Sequence, residues 1–164
     1  MSEGENKMKR VLRLFAVLFM VGVLCGCSLN SKERIIKCIG SQKNLQNGYE
    51  IKSEYNIYAQ GNTVNKVKTK EAVTSDQDSI LGYFETTLNS TYEKYSKEYD
   101  GYKYEIVKDG NTVTSNVEID YSKMDMKKFV QDNTVAKSYV NDDSKFTVDG
   151  LKRMYKSAGA TCEE

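Results

Sequence analysis

YEIKSEYNIYAQGNTVNKVKTKEAVTS, Tyr49–Ser75, is the stretch on which the fold turns. Tyr49, Ile51, Ser53, Tyr55, Ile57 and Ala59 alternate with Glu50, Lys52, Glu54, Asn56, Tyr58 and Gln60, a period of two that predicts an amphipathic strand. Gly61-Asn62 suits a two-residue hairpin turn, and Thr63–Ser75 returns with Val67, Thr69 and Val73 on one side. Val64 is out of phase with that set, and a bulge at Asn65 or Lys66 would restore the register. A hairpin that is apolar on one face needs a second layer to cover that face.

On the N-terminal side, Arg34–Ile39 has the β-branched enrichment of a strand, and Gly40–Gly48 reads as a polar loop. On the C-terminal side the period changes. Ser75 or Asp76 can cap a helix in which Ile80, Leu81, Phe84, Leu88, Tyr92, Tyr95 and Tyr99 recur at helical spacing, a stripe that must lie on the sheet. A second hairpin follows: Tyr102, Tyr104 and Ile106 alternate, Asp109-Gly110-Asn111 turns the chain, and Val113, Ser115, Val117, Ile119 and Tyr121 alternate back. Ser122 or Asp125 starts a short helix with Met126, Phe129 and Val130 inward. Thr147 caps a last helix with Leu151, Met154, Tyr155 and Ala158 on its apolar face and Gly159 as its stop. The expected fold is α+β: an antiparallel β-meander with one long helix and shorter C-terminal helices packed on one face. It occupies residues 34–164 as a single domain.

Composition narrows the chemistry. The chain has 164 residues, room for one ordinary domain, and its 39% hydrophobic and 29% charged residues suit a globular body. It has no histidine, which removes imidazole bases, imidazole metal ligands and Ser-His or Cys-His nucleophile pairs. The formal net charge is +1, and basic residues after Lys32 are interleaved with acidic ones, so no face is built for nucleic acid. Trp and Pro are absent, and all twelve tyrosines lie beyond residue 48.

Residues 1–26 read differently. Lys7, Lys9, Arg10 and Arg13 form a positive segment ahead of LFAVLFMVGVL, Leu14–Leu24, an apolar run of eleven residues. A membrane span takes about twenty apolar residues, so this run reads as the core of a signal peptide. It ends in Leu24-Cys25-Gly26-Cys27, which resembles a bacterial lipobox, with Cys25 a departure from the small residues commoner there. The resemblance implies cleavage after Gly26 and a diacylglycerol thioether on Cys27, with residues 27–33 as lipidated terminus and tether. Membrane lipid is then a partner through Cys27. Two or three acyl chains, each buried methylene contributing ~0.8 kcal/mol, retain a water-soluble domain at a membrane. The body beyond residue 26 carries 20 basic and 21 acidic side chains. Met8 begins a better-shaped signal than Met1, so residues 1–7 read as a start-site extension.

The lipobox, a first strand with one cysteine, a Tyr-rich hairpin, a long helix, a hairpin turned at Asp-Gly, Asp120-Tyr-Ser-Lys-Met-Asp-Met and a closing helix running into Ala-Gly-x-Thr-Cys together resemble the YehR-type small bacterial lipoproteins. The resemblance spans nearly the whole chain and implies fold and location but no chemistry. Its most specific part is the pair Cys38 and Cys162. In an exported protein two such cysteines read most simply as a disulfide. The rival readings are reduced thiols, a metal site or a redox-active dithiol; the pair lacks the close spacing and histidine companions of the last two.

Other candidates have plainer readings. Met124 and Met126 could suggest a Cu(I) site, but beside Phe129 on a short helix they read as core filling. Asn141-Asp142-Asp143-Ser144 is oxygen-rich yet lacks EF-hand spacing and reads as a turn. Tyr92, Tyr95 and Tyr99 read as a buried stripe rather than a sugar platform, and Glu93 and Glu98 have no context that would raise a pKa. Tyr58 and Tyr83 lie off the apolar faces, where exposed aromatics mark a binding surface. No catalytic set, metal site or cofactor is expected. The functional expectation is a non-catalytic envelope domain, lipid-anchored outside the cytoplasm, that binds a small ligand or wall polymer. The alternative is a structural component that contacts another envelope protein, with an enzyme a distant third. A Lys- and Asn-rich, Pro-free chain points to a Gram-positive host and the outer face of its cytoplasmic membrane.

Overall fold

A computed structural model describes residues 32–163; the signal segment, Cys25 and Cys27 lie outside them. Six strands form one sheet: β1 (Arg34–Asn44), β2 (Tyr49–Gln60), β3 (Thr63–Ser75), β4 (Tyr102–Asp109), β5 (Thr112–Asp120) and β6 (Ala160–Cys162). Three helices, α1 (Asp78–Glu98), α2 (Met126–Asp132) and α3 (Val148–Ser157), and a 3₁₀ turn at Thr134–Tyr139 complete the described residues. The strand order is β4-β5-β3-β2-β1-β6, and every pairing is antiparallel.

The opening stretch folds as its pattern requires. β2 and β3 pair along their whole lengths about a turn at Gly61-Asn62, with Gly61 at φ 59°, the left-handed region that glycine adopts without cost. The register shifts between Tyr58, opposite Lys66, and Ala59, opposite Val64, leaving Asn65 as the extra residue of a bulge. That bulge brings Val64 onto the same side as Val67, and both are buried.

Strands β1 to β3 form a meander. The chain then runs through α1 to the far edge as β4, and β5 returns into the gap beside β3. Because β5 is antiparallel to both β3 and β4, those two are parallel to each other and need a crossover, which α1 supplies.

Opposed residues share a face of the sheet. Ile36, Ile57, Val67, Ile119 and Tyr102 form one row across five strands, and Cys38, Tyr55, Thr69, Val117 and Tyr104 form the next. Helices α1 and α3 cover this face. From α1, Phe84 meets Tyr49 edge-on and Tyr92 lies against Tyr102 and Tyr104; from α3, Tyr155 stacks on Tyr55 with centroids 4.0 Å apart. Leu81 and Leu151 are fully buried anchors of α1 and α3. The opposite face carries Lys37–Glu54 and Lys68–Glu118 ion pairs and stays open to solvent.

Three boundaries differ from the sequence reading. Gly40–Asn44 continues β1 instead of looping, because each residue pairs with β2 and Ser41 and Asn44 hydrogen-bond across to Glu50 and Tyr49. Ser75 stays in β3, its hydroxyl donating to the Gly48 carbonyl and accepting from the Gln77 N–H, and Gln77 takes the N-cap position of α1. Ala158 is exposed rather than part of the apolar face of α3. Asp125 and Thr147 do cap α2 and α3, each accepting backbone N–H groups of the first turn.

At the C-terminus β6 pairs with Cys38–Gly40, setting Cys162 directly opposite Cys38. The two sulfurs form a disulfide that spans 124 residues of sequence.

Candidate functional site

One cross-strand row of the covered face breaks the apolar pattern. Gly40, Ser53, Glu71, Ser115 and Ile106 lie opposite one another from β1 to β4. Strand alternation turns Glu71 toward the helices while its neighbours Lys70 and Ala72 face the open side. Glu71 Oε1 accepts hydrogen bonds from Ser53 Oγ at 3.2 Å and Tyr55 Oη at 3.1 Å. Among the described residues Glu71 makes no ion pair, and the Tyr92 hydroxyl also lies within hydrogen-bonding reach of it.

A cleft of about 180 Å³ opens over this carboxylate. Its floor is Ile51, Ser53, Tyr55 and Glu71, and its rim is formed by the Gly40–Gln42 backbone of β1 and by Ala158 and Ala160 after α3. Burial pushes the Tyr55 phenol up to about 12, with the neighbouring Glu71 charge adding to the rise. The Tyr92 phenol is raised for the same two reasons. Ser115 Oγ is wholly buried and makes no well-formed hydrogen bond, although the Tyr92 hydroxyl lies close by.

The polar groups of the cleft are all hydrogen-bonding ones. The raised Tyr55 phenol keeps its proton at neutral pH, Glu71 has no second carboxylate beside it, and Ser53 and Tyr55 share Glu71 Oε1 as acceptor.

A larger hollow of about 530 Å³ lies between the Thr63–Asn65 bulge, Tyr121–Lys127 and Asp143–Phe146. Two of its polar side chains are committed elsewhere: Asp125 Oδ1 caps α2, and Ser122 bonds Asp120. Asp143 and Lys145 donate backbone N–H groups to Asn141 Oδ1, so Asn141–Ser144 is a turn. Met124 is buried beside it as core filling. Among the described residues no three acidic or cysteine side chains gather as a metal site, and no helix is long and apolar enough to cross a membrane.

The two surface tyrosines do not form a common patch. Tyr58 is half-buried on the open face of the sheet beneath the Lys66 ammonium, 4.5 Å from its ring centroid. Tyr83 is 66% exposed on α1, which packs on the other face. Cys38 and Cys162 come together as the disulfide, away from solvent at Cys38. Sequence reasoning missed Glu71. The signal was there: Glu71 falls in phase between Thr69 and Val73, as Ser53 and Ser115 fall in phase on their own strands, but only the register aligns the three.

No protein-family model and no curated protein matches the chain. Among solved structures, the NMR structure of a protein from Streptococcus pneumoniae TIGR4 aligns with a TM-score of 0.48 at 15% identity, covering 80% of this chain and 86% of that one. The NMR structure of the E. coli YehR protein aligns with a TM-score of 0.55 at 20% identity, covering 82% of this chain and 93% of that one. The chain therefore has a YehR-like α+β fold.

Proposed function

We propose that this chain is a lipid-anchored, extracytoplasmic binding domain without catalytic activity, a lipoprotein of the YehR type. The observation that carries the binding role is the Glu71 cleft: a concave polar site over a rigid sheet, with two hydroxyls converging on a carboxylate. Anchoring rests on the positive segment, the short apolar run and Leu24-Cys25-Gly26-Cys27, with acylated Cys27 as the link to the outer face of the cytoplasmic membrane. The Cys38–Cys162 bridge fits an oxidising compartment.

Cell fractionation and intact mass test the anchor. The native protein should sediment with membranes and carry the mass of a diacylglyceryl group on Cys27, and Cys27→Ala should lose both. A wild-type chain that is soluble and unmodified would refute the anchoring.

A second reading, contact with another envelope protein, is favoured by Ile35 and Ile39, exposed on the open face of β1. Crosslinking the lipidated protein in whole cells separates the two. A reproducible partner lost in Ile35→Lys/Ile39→Lys supports the contact reading; no partner, together with thermal stabilisation by a small ligand, supports the cleft.

A further inference from the structure

We propose that the Glu71 cleft is a recognition site for a small primary ammonium, free or at the end of a longer molecule. The inference rests on the binding reading above and supplies the chemical class of its ligand.

Charge is the first reason. Glu71 lines the cleft floor without an ion-pair partner among the described residues, and no Lys or Arg lines the cleft. An anion would meet only like charge there. A divalent metal would find one carboxylate where several oxygen ligands are needed. An organic cation meets an uncompensated carboxylate in a partly desolvated site, where charge-assisted hydrogen bonds are strongest.

Hydrogen-bond sense is the second reason. Ser53 Oγ and Tyr55 Oη already donate to Glu71 Oε1, so what each still offers toward the cleft is an acceptor lone pair. Glu71 lines the same cleft, so its carboxylate and the two hydroxyl oxygens are acceptors around one cavity. A primary ammonium has three N–H donors and matches that set; a quaternary ammonium has none. Stacking by a sugar is disfavoured, because the Tyr55 ring is already covered by Tyr155, 16° from parallel. The volume, about 180 Å³, admits a short carbon stem behind the ammonium and excludes a bulky head.

The test uses the full-length protein in mild detergent, with amide chemical shifts and calorimetry as readouts and ethylammonium chloride as probe. With only three non-hydrogen atoms, the limit on affinity per atom places its dissociation constant no tighter than roughly 0.5 mM. Ethylammonium should perturb the amides of Gly40–Gln42, Ser53, Tyr55 and Ala158 saturably, while tetramethylammonium and ethanol should not. Glu71→Gln should weaken binding by about ten-fold or more, the loss expected when a charged hydrogen bond becomes neutral.

In case Glu71→Gln disturbs the fold, Ala158→Phe blocks the rim from an exposed position and leaves the carboxylate in place; it should abolish the response. Equal binding by Glu71→Gln in a folded protein, or no saturable response to ethylammonium, overturns the proposal. If ethanol or a neutral polyol saturates the same amides and ethylammonium does not, the cleft still binds and only the ammonium assignment fails. Silence from charged and neutral probes alike removes the small-ligand reading as well.

Discussion

Gly150 shows how one position reverses a general rule. In an exposed helix interior alanine stabilises relative to glycine by about 0.5–1 kcal/mol. Here a Cβ would run into the Tyr139 carbonyl and crowd the Thr147 hydroxyl that caps the same turn. Gly150→Ala should therefore destabilise α3, and by more than Thr147→Ala, which removes only the cap at a cost of about 1 kcal/mol. Urea denaturation of the two variants checks the order; an equal or more stable Gly150→Ala would contradict it. At this scale the sequence was legible where chemistry is local. Thr147 and Asp125 are caps because a short oxygen-bearing side chain precedes a helix; Thr147 read directly and Asp125 as one of two candidates with Ser122. Glu71 was not legible, because a polar residue in phase on one strand is an exception until its neighbours in the sheet are known to be Ser53 and Ser115.

Among the elements, β6 depends most on a single covalent link. Three residues pair it to β1, with Ala160 packed over Gly40, and the disulfide joins the two strands at Cys38. In the chain-entropy model, closing a loop of 124 residues constrains the unfolded state by about 5 kcal/mol, comparable with the whole stability of a small domain. Reduction, or the double variant Cys38→Ala/Cys162→Ala, should lower the melting temperature by roughly 15 °C and raise amide exchange at Ala160–Cys162 first. Amides of the β2–β3 hairpin should stay the most protected, since both strands are flanked by paired neighbours. An unchanged melting temperature after verified reduction would deny the bridge a structural role. The long elements were legible because twelve or more residues repeat one period: β2, β3 and α1 lie within a few residues of where the pattern puts them. β6 and the Thr134–Tyr139 turn were not, since three to six residues carry no period and are held by what they pair with.

For the whole molecule, the two-layer stack followed from the amphipathic patterns, but the docking of the second hairpin did not. Either β4 or β5 could have paired with β3 by alternation alone; the long crossover helix carries the chain past the nearer place, and β5 fills it. The layer that results is rich in phenols, and this sets an alkaline limit on stability. Burial raises Tyr55 to about 12 and also lifts Tyr92, Tyr99, Tyr102, Tyr121 and Tyr155 above the ordinary tyrosine value. A phenol with a raised folded pKa keeps its proton in the native state while the unfolded chain loses it. The unfolded state then binds fewer protons, and stability falls as pH rises. Below about pH 10, the unfolded value, both states are protonated and these groups contribute no pH dependence. Above it each buried phenol subtracts stability, progressively until its folded pKa is reached, so the losses add across the layer. The melting temperature should be nearly flat with respect to these groups through neutral pH and drop steeply beyond about pH 10. Phenolate absorbance should rise together with the loss of far-ultraviolet circular dichroism. Full ionisation of the tyrosines near their ordinary value with the secondary structure intact would mean that the layer between sheet and helices is wetter than its packing indicates.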